Sequence, residues 1–147
     1  MINKQIKSKK RVKEKGEVFT NEREVKAMCD LIPKDIWNNI NSTFLEPTCG
    51  NGNFIVEILN RKLKLCNSID DMLKAIKSIY GIDIMQDNVD ETKKRIIDIC
   101  STKITEMTNN YDEIIDFMIN CKYIIDNQII CGDSLKIMKK LEINKEM

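Results

Sequence analysis

Apolar residues recur along this chain at two spacings, and the alternation between them predicts its architecture. Val25, Met28, Cys29 and Ile32 fall at i, i+3, i+4 and i+7, one face of a helix. Asn21 is placed to cap its start, Glu24 to complete a capping box, and Pro33 to close it. Phe54, Ile55, Ile58, Leu59 and Leu63 form a second helical stripe, and Ile69, Met72, Leu73 and Ile76 a third that begins at Ser68. A fourth helix, capped by Asp87, carries Val89, Ile96, Ile97 and Cys100. Residues 101 to 126 read as polar at first and then helical around Ile114, Ile115, Phe117 and Met118, an inserted helix. The last helix carries Leu135, Met138 and Leu141. Three short apolar runs near 43–46, 79–84 and 127–131 read as strands, each leading into a turn or helix start. Strands alternating with helices predict an α/β fold built on a parallel sheet. Lys34 to Ile40 forms a short helical turn whose Trp37 is expected to pack into the core.

Composition narrows the possibilities. A chain of 147 residues with 42% hydrophobic and 32% charged residues suits one soluble domain with a real core. No apolar run approaches the about 20 residues of a membrane span, and no apolar segment follows the basic start, so neither a membrane partner nor a secretory signal is expected. The six cysteines contain no Cys-x-x-Cys pair and read as reduced thiols of a cytoplasmic protein. With no histidine in the chain, the commonest general base and zinc ligand are missing, which disfavours metal and hydrolytic chemistry. Charge is polarised: Met1 to Gly16 hold seven Lys/Arg against one Glu, leaving 17 basic and 22 acidic residues in the remainder.

Candidate chemistry concentrates at Phe44 to Phe54, Phe-Leu-Glu-Pro-Thr-Cys-Gly-Asn-Gly-Asn-Phe, where a strand runs through a glycine turn into a helix. Glycines let a backbone bend sharply and approach a ligand. Glu46 sets a carboxylate at the mouth of that turn, which repels a pyrophosphate but accepts from an ammonium group. Asp83 ends the second strand, where open α/β sheets bind ribose hydroxyls.

The string Glu-Pro-Thr-Cys-Gly-Asn-Gly-Asn-Phe resembles motif I of the N6-adenine DNA methyltransferases, (D/E)PxCGxGxF, which wraps the methionine part of S-adenosylmethionine. Gly16-Glu17-Val18-Phe19-Thr20-Asn21 resembles motif X, with Asn21 where that family usually has proline. Gly81-Ile82-Asp83-Ile84 resembles motif II and Gly132-Asp133-Ser134-Leu135 resembles motif III. The resemblance spans roughly residues 16 to 135. It implies a Rossmann-like class I methyltransferase fold with a partial parallel sheet and S-adenosylmethionine as cofactor. It also implies cofactor contacts from Phe19, Thr20, Glu46, Pro47, Thr48, Cys49, Gly50, Gly52, Phe54, Asp83, Ile84 and Asp133. In that family the motif II acid accepts from both ribose hydroxyls, and the motif III aspartate contacts the exocyclic amine of the cofactor's adenine.

Transfer in that family uses an (N/D/S)-P-P-(Y/F) loop that holds a flipped base. The two prolines here, Pro33 and Pro47, stand apart, so no catalytic residue is assigned. The expectation is the cofactor-binding portion of a restriction-modification adenine methyltransferase, incomplete at its C-terminus. Its partners would be DNA and either a complementing catalytic and recognition region or a second copy. Alternatives are a non-catalytic cofactor-binding or interaction module, or part of an RNA or protein-glutamine methyltransferase. Residues 1–15 are expected to be a basic flexible arm and 16–147 the domain, with Lys7, Lys9, Lys10 and Arg11 as DNA-phosphate contacts. Deleting the arm would then weaken DNA binding and leave cofactor binding intact.

Overall fold

The computed structural model describes residues 5–15 and 17–139. Its order is α1 (Lys9–Lys15), α2 (Glu22–Cys29), α3 (Lys34–Trp37), β1 (Phe44–Glu46), α4 (Asn53–Leu63), α5 (Ile69–Lys77), β2 (Ile79–Asp83), α6 (Gln86–Met107), α7 (Tyr111–Gln128) and β3 (Ile129–Cys131). The chain is helical again from 134 to 139; Gly16, Leu141 and the segment to Met147 lie outside the described residues.

The strands form a parallel sheet in the order β1-β2-β3, pairing Leu45 with Tyr80 and Ile82 with Ile130. The helices follow from the apolar stripes. Ile55, Leu59, Leu63, Met72, Ile76, Val89, Ile96, Cys100, Phe117 and Ile125 are buried in one cluster, which also holds Ile79 and Ile129 of the sheet. Gly81 brings β2 close to Ile55 of α4, so this face of the sheet is covered. The opposite face presents Leu45, Tyr80 and Ile130, exposed by 46, 39 and 38%. Trp37 stacks on Phe44 at 5.1 Å between ring centroids and donates from Nε1 to the Cys29 carbonyl, a packing role. No described helix is long and apolar enough to cross a membrane.

Several local expectations change. The segment expected as a loose arm contains α1, whose start is capped by Ser8: its Oγ accepts from the Arg11 N–H at 3.1 Å, and Ile6 and Val12 are half-buried. Pro33 does not end α2, which stops at Cys29; it precedes α3 instead. Asp87 sits in the first turn of α6 rather than capping it, since its carboxylate is taken by Lys7 and Arg11. The polar stretch after Cys100 continues α6 to Met107, because Ile104, four residues on, extends the buried stripe and is fully buried.

Candidate functional site

The three strands end in one cleft of about 620 Å³. Its walls are the segments that follow each strand, Glu46 to Asn51, Asp83 with Ile84, and Gly132 to Leu135, together with Glu17 to Thr20, Asn53 and Phe54. A crevice beyond the carboxyl ends of parallel strands is where open α/β sheets bind ligands. Every residue expected at a cofactor lines it except Gly52. Gly52 caps α4 from below with φ +92°, and a Cβ there would come within 2.9 Å of Thr92 Oγ1.

Gly50 is the pivot of the turn. Its φ of +56° is left-handed, and an added Cβ would lie 2.9 Å from the ring of Phe19. Its N–H donates to Asp83 Oδ2 at 3.0 Å and its carbonyl accepts from Thr92 Oγ1 at 3.2 Å. Asp83 thus does more than face the cleft. Its Oδ1 also accepts from the Met85 N–H at 2.9 Å and Asn88 Nδ2 at 3.0 Å, so this buried carboxylate ties the glycine turn to the start of α6. A carboxylate has about four acceptor positions, which leaves capacity for a ligand hydroxyl.

Glu46 Oε1 accepts from the Thr48 N–H at 3.2 Å and Thr48 Oγ1 at 3.4 Å. Its Oε2 has no hydrogen bond among the described residues. Burial raises the Glu46 carboxyl above its ordinary pKa, with the Thr48 bonds opposing. Cys49 is a structural thiol, pushed up to about 12 by burial and then by the charge of Asp83, and is no nucleophile. Asp133 caps the following helix, its Oδ1 accepting from the Leu135 N–H at 3.0 Å. Three apolar residues stand bare at the rim, Val18, Ile84 and Leu135, exposed by 57, 52 and 72%.

Five residues that the sequence reading assigned no role hold this arrangement. Asn53 Nδ2 donates to the Thr20 carbonyl at 2.7 Å while its Oδ1 accepts from Arg95 Nη1 at 2.8 Å. Glu17 Oε2 accepts from Asn88 Nδ2 at 2.6 Å, beside Asp83. Asn88 and Thr92 are fully buried polar residues. Thr92 was detectable: it precedes Ile96 and Cys100 at intervals of four, so it stands in a buried stripe where an apolar residue is expected.

The four expected DNA contacts divide. Lys7 pairs with Asp87 at 3.2 Å and Glu91 at 3.1 Å, and Arg11 pairs with Glu17 and Asp87. Lys9 and Lys10 are exposed and have no ion-pair partner among the described residues.

Fold and cleft together define an α/β chain with an acidic cleft: Glu14, Glu17, Glu46, Asp83 and Asp133 line it, and no lysine or arginine among the described residues does. No protein-family model matches the chain, and no solved structure matches it significantly. Among curated proteins it is similar to the type II methyltransferase M.VspI of Vibrio sp. (strain 343), with 34% identity over 89 residues, 60% of this chain. The chain spans 18% of that relative's length.

Proposed function

We propose that this chain is the S-adenosylmethionine-binding portion of a restriction-modification DNA methyltransferase directed at adenine N6. The observation that carries the reading is the convergence of the four motif-like segments on one cleft lined by five carboxylates and, among the described residues, by no lysine or arginine. Such a cleft repels phosphates and suits a ligand bearing sulfonium and ammonium charge. The similarity to a type II methyltransferase supports a methyltransferase.

The residues present fit that cofactor by the chemistry of their donor set. In this reading Asp83 accepts from a ribose hydroxyl, Glu46 Oε2, which has no hydrogen bond among the described residues, accepts from the ammonium, and Asp133 accepts from the adenine amine. Val18, Ile84 and Leu135 offer apolar contact to the base. When bound, the cofactor supplies an electrophilic methyl group. Asn53 and Arg95 hold Thr20 against the glycine turn, and Asp83 holds the Gly50 N–H of that turn in place. The amine-accepting loop of the resembling family has no counterpart in the sequence, so no residue here is given that role.

Calorimetric titration with S-adenosylhomocysteine tests the reading. Saturable binding is expected, and Asp83→Ala is expected to weaken it by at least about tenfold, since a charge-assisted hydrogen bond of about 1.5–3 kcal/mol is at stake. The melting temperature of the variant is read in parallel, because Asp83 also accepts three internal hydrogen bonds. Absence of binding by the unmodified chain would sink the reading.

Glu46 adds a pH dependence whose sign follows from its burial. Its folded pKa is raised, so the ionised form is a cost to the empty protein that sets in as pH rises, and an ammonium bound at Oε2 relieves it. Affinity should therefore fall as pH drops below neutrality and the carboxyl takes up its proton, earlier than an exposed glutamate would. Glu46→Gln should flatten the profile. An identical pH profile in the variant would remove Glu46 from the ammonium site.

A further inference from the structure

The basic segment at the start of the chain faces the cleft, not only solvent. The Phe19 N–H donates to the Gln5 carbonyl while Gln5 Nε2 donates to the Phe19 carbonyl at 3.3 Å, so residues 5 to 19 close into a loop. Phe19 is buried and its ring rests on Gly50. From α1, Arg11 reaches across that loop: Nε lies 2.8 Å from Glu17 Oε1, Nη2 donates to Glu17 Oε2 at 2.9 Å, and Nη2 also donates to Asp87 Oδ1 at 3.0 Å. Glu17 in turn shares Asn88 Nδ2 with Asp83, the acid at the end of β2.

We propose that residues 5–15 and 17–19 are a strap of the cofactor cleft and that Arg11 is a positioning residue, which acts on the ligand through Glu17 and Asn88 by fixing the Asp83 carboxylate. The inference rests on the cofactor reading above. Two carboxylates, Glu17 and Asp83, bind the two sides of one amide nitrogen, an arrangement that their mutual repulsion opposes. The guanidinium fork is the cation that offsets it, and its planar geometry directs fixed N–H donors at Glu17 and Asp87 together, whereas an ammonium acts as a point charge without that fixed orientation. The pair with Glu17 is the stronger link, since both side chains are largely removed from water, at 17% and 10% exposure, whereas Asp87 is 52% exposed.

This assigns the basic residues of the segment to two tasks. Lys7 and Arg11 face α6 and serve the strap, while Lys9, Lys10 and Lys13 are exposed and remain available to phosphates. The expectation that removing the arm spares cofactor binding is replaced by its opposite.

The test compares the intact chain, Arg11→Met, Arg11→Lys and the triple variant Lys9→Ala, Lys10→Ala, Lys13→Ala. S-adenosylhomocysteine affinity and the rate of trypsin cleavage within α1, with and without ligand, are read for each. Arg11→Met should lose affinity by at least about tenfold, as when a partner that orients a ligand-contacting group is removed from other built sites. In the unmodified chain ligand should slow cleavage within α1, and both Arg11 variants should lose that protection, Arg11→Lys while keeping the charge. The triple variant should bind as the unmodified chain does. Arg11→Met binding at unmodified affinity would overturn the strap and leave the cofactor reading standing. If Arg11→Met does not fold, cleavage of the unmodified chain decides: a rate indifferent to saturating ligand overturns the proposal. An unmodified chain that binds no ligand removes the cofactor reading and the strap with it.

Discussion

Gly50→Ala is expected to abolish S-adenosylhomocysteine binding while the α4–α7 core remains folded. Two costs combine at this residue. A φ of +56° suits glycine, and an alanine pays roughly 1–2 kcal/mol to adopt it. The added Cβ would also stand 2.9 Å from Phe19 Cδ1 and 3.1 Å from Cε1. Phe19 has little room to retreat, being 6% exposed and bonded through its main chain to Gln5 on both sides. The strain is therefore relieved by shifting the turn, which breaks the Gly50 N–H bond to Asp83 and displaces the carboxylates around it. Gly50→Asn separates the two costs, since asparagine tolerates the left-handed conformation but still carries a Cβ. Titration and thermal melts of both variants check the argument: binding restored by asparagine would show that backbone conformation alone matters at this turn.

The same residue shows what was legible in the sequence. Glycines and acids at strand ends announce themselves in any context, because a sharp turn beside a ligand tolerates few other residues. Glu46, Gly50 and Asp83 were found that way and Asp133 through its resemblance to motif III, and the cleft unites them. Helix stripes were equally plain where apolar residues filled them. The misses share one cause, that a polar residue's burial depends on partners distant in sequence. Arg11 and Asp87 are 76 residues apart, and Asn88 and Glu17 are 71 apart. Nothing local to Lys7 or Arg11 distinguishes a lysine or arginine that pairs within the fold from one that meets phosphate. The Ser8 cap and the Cys100-to-Ile104 interval were local signals, and attention to them would have given α1 and the full length of α6.

Lys62 is the extreme case of a charge whose setting the sequence conceals, and it carries the second large expected effect. On α4 it lies between Arg61 and Leu63 and reads as a solvated position, yet it is 1% exposed. Its Nζ donates to the Ile40 carbonyl at 2.8 Å and the Ser42 carbonyl at 2.7 Å, and sits 5.1 Å from the centre of the Phe44 ring. It thereby pins the turn before β1 to α4, and with it the height of Glu46 at the cleft mouth. No carboxylate among the described residues pairs with the cation, and burial lowers its pKa to about 8. The neutral amine keeps two N–H donors, one for each carbonyl, and loses neither bond on deprotonation. The sign of the linkage follows. Below about 8 the folded and unfolded chains both hold the proton, and the full cost of burying it is present. Between about 8 and 10.5 the unfolded chain keeps the proton that the folded chain has released, so stability rises with pH. Lys62→Met deprives two carbonyls of a donor and should destabilise the fold by about 1–3 kcal/mol at neutral pH, the balance of lost hydrogen bonds against relief of the buried charge. It should also remove the rise, so the gap between the two proteins widens on going from neutral pH to about 10. Denaturant unfolding of both chains across that range isolates this group from the other lysines and tyrosines. A gap independent of pH would mean that Lys62 stays charged in the folded protein at all these pH values, held by its two carbonyls and the Phe44 ring more strongly than burial opposes it.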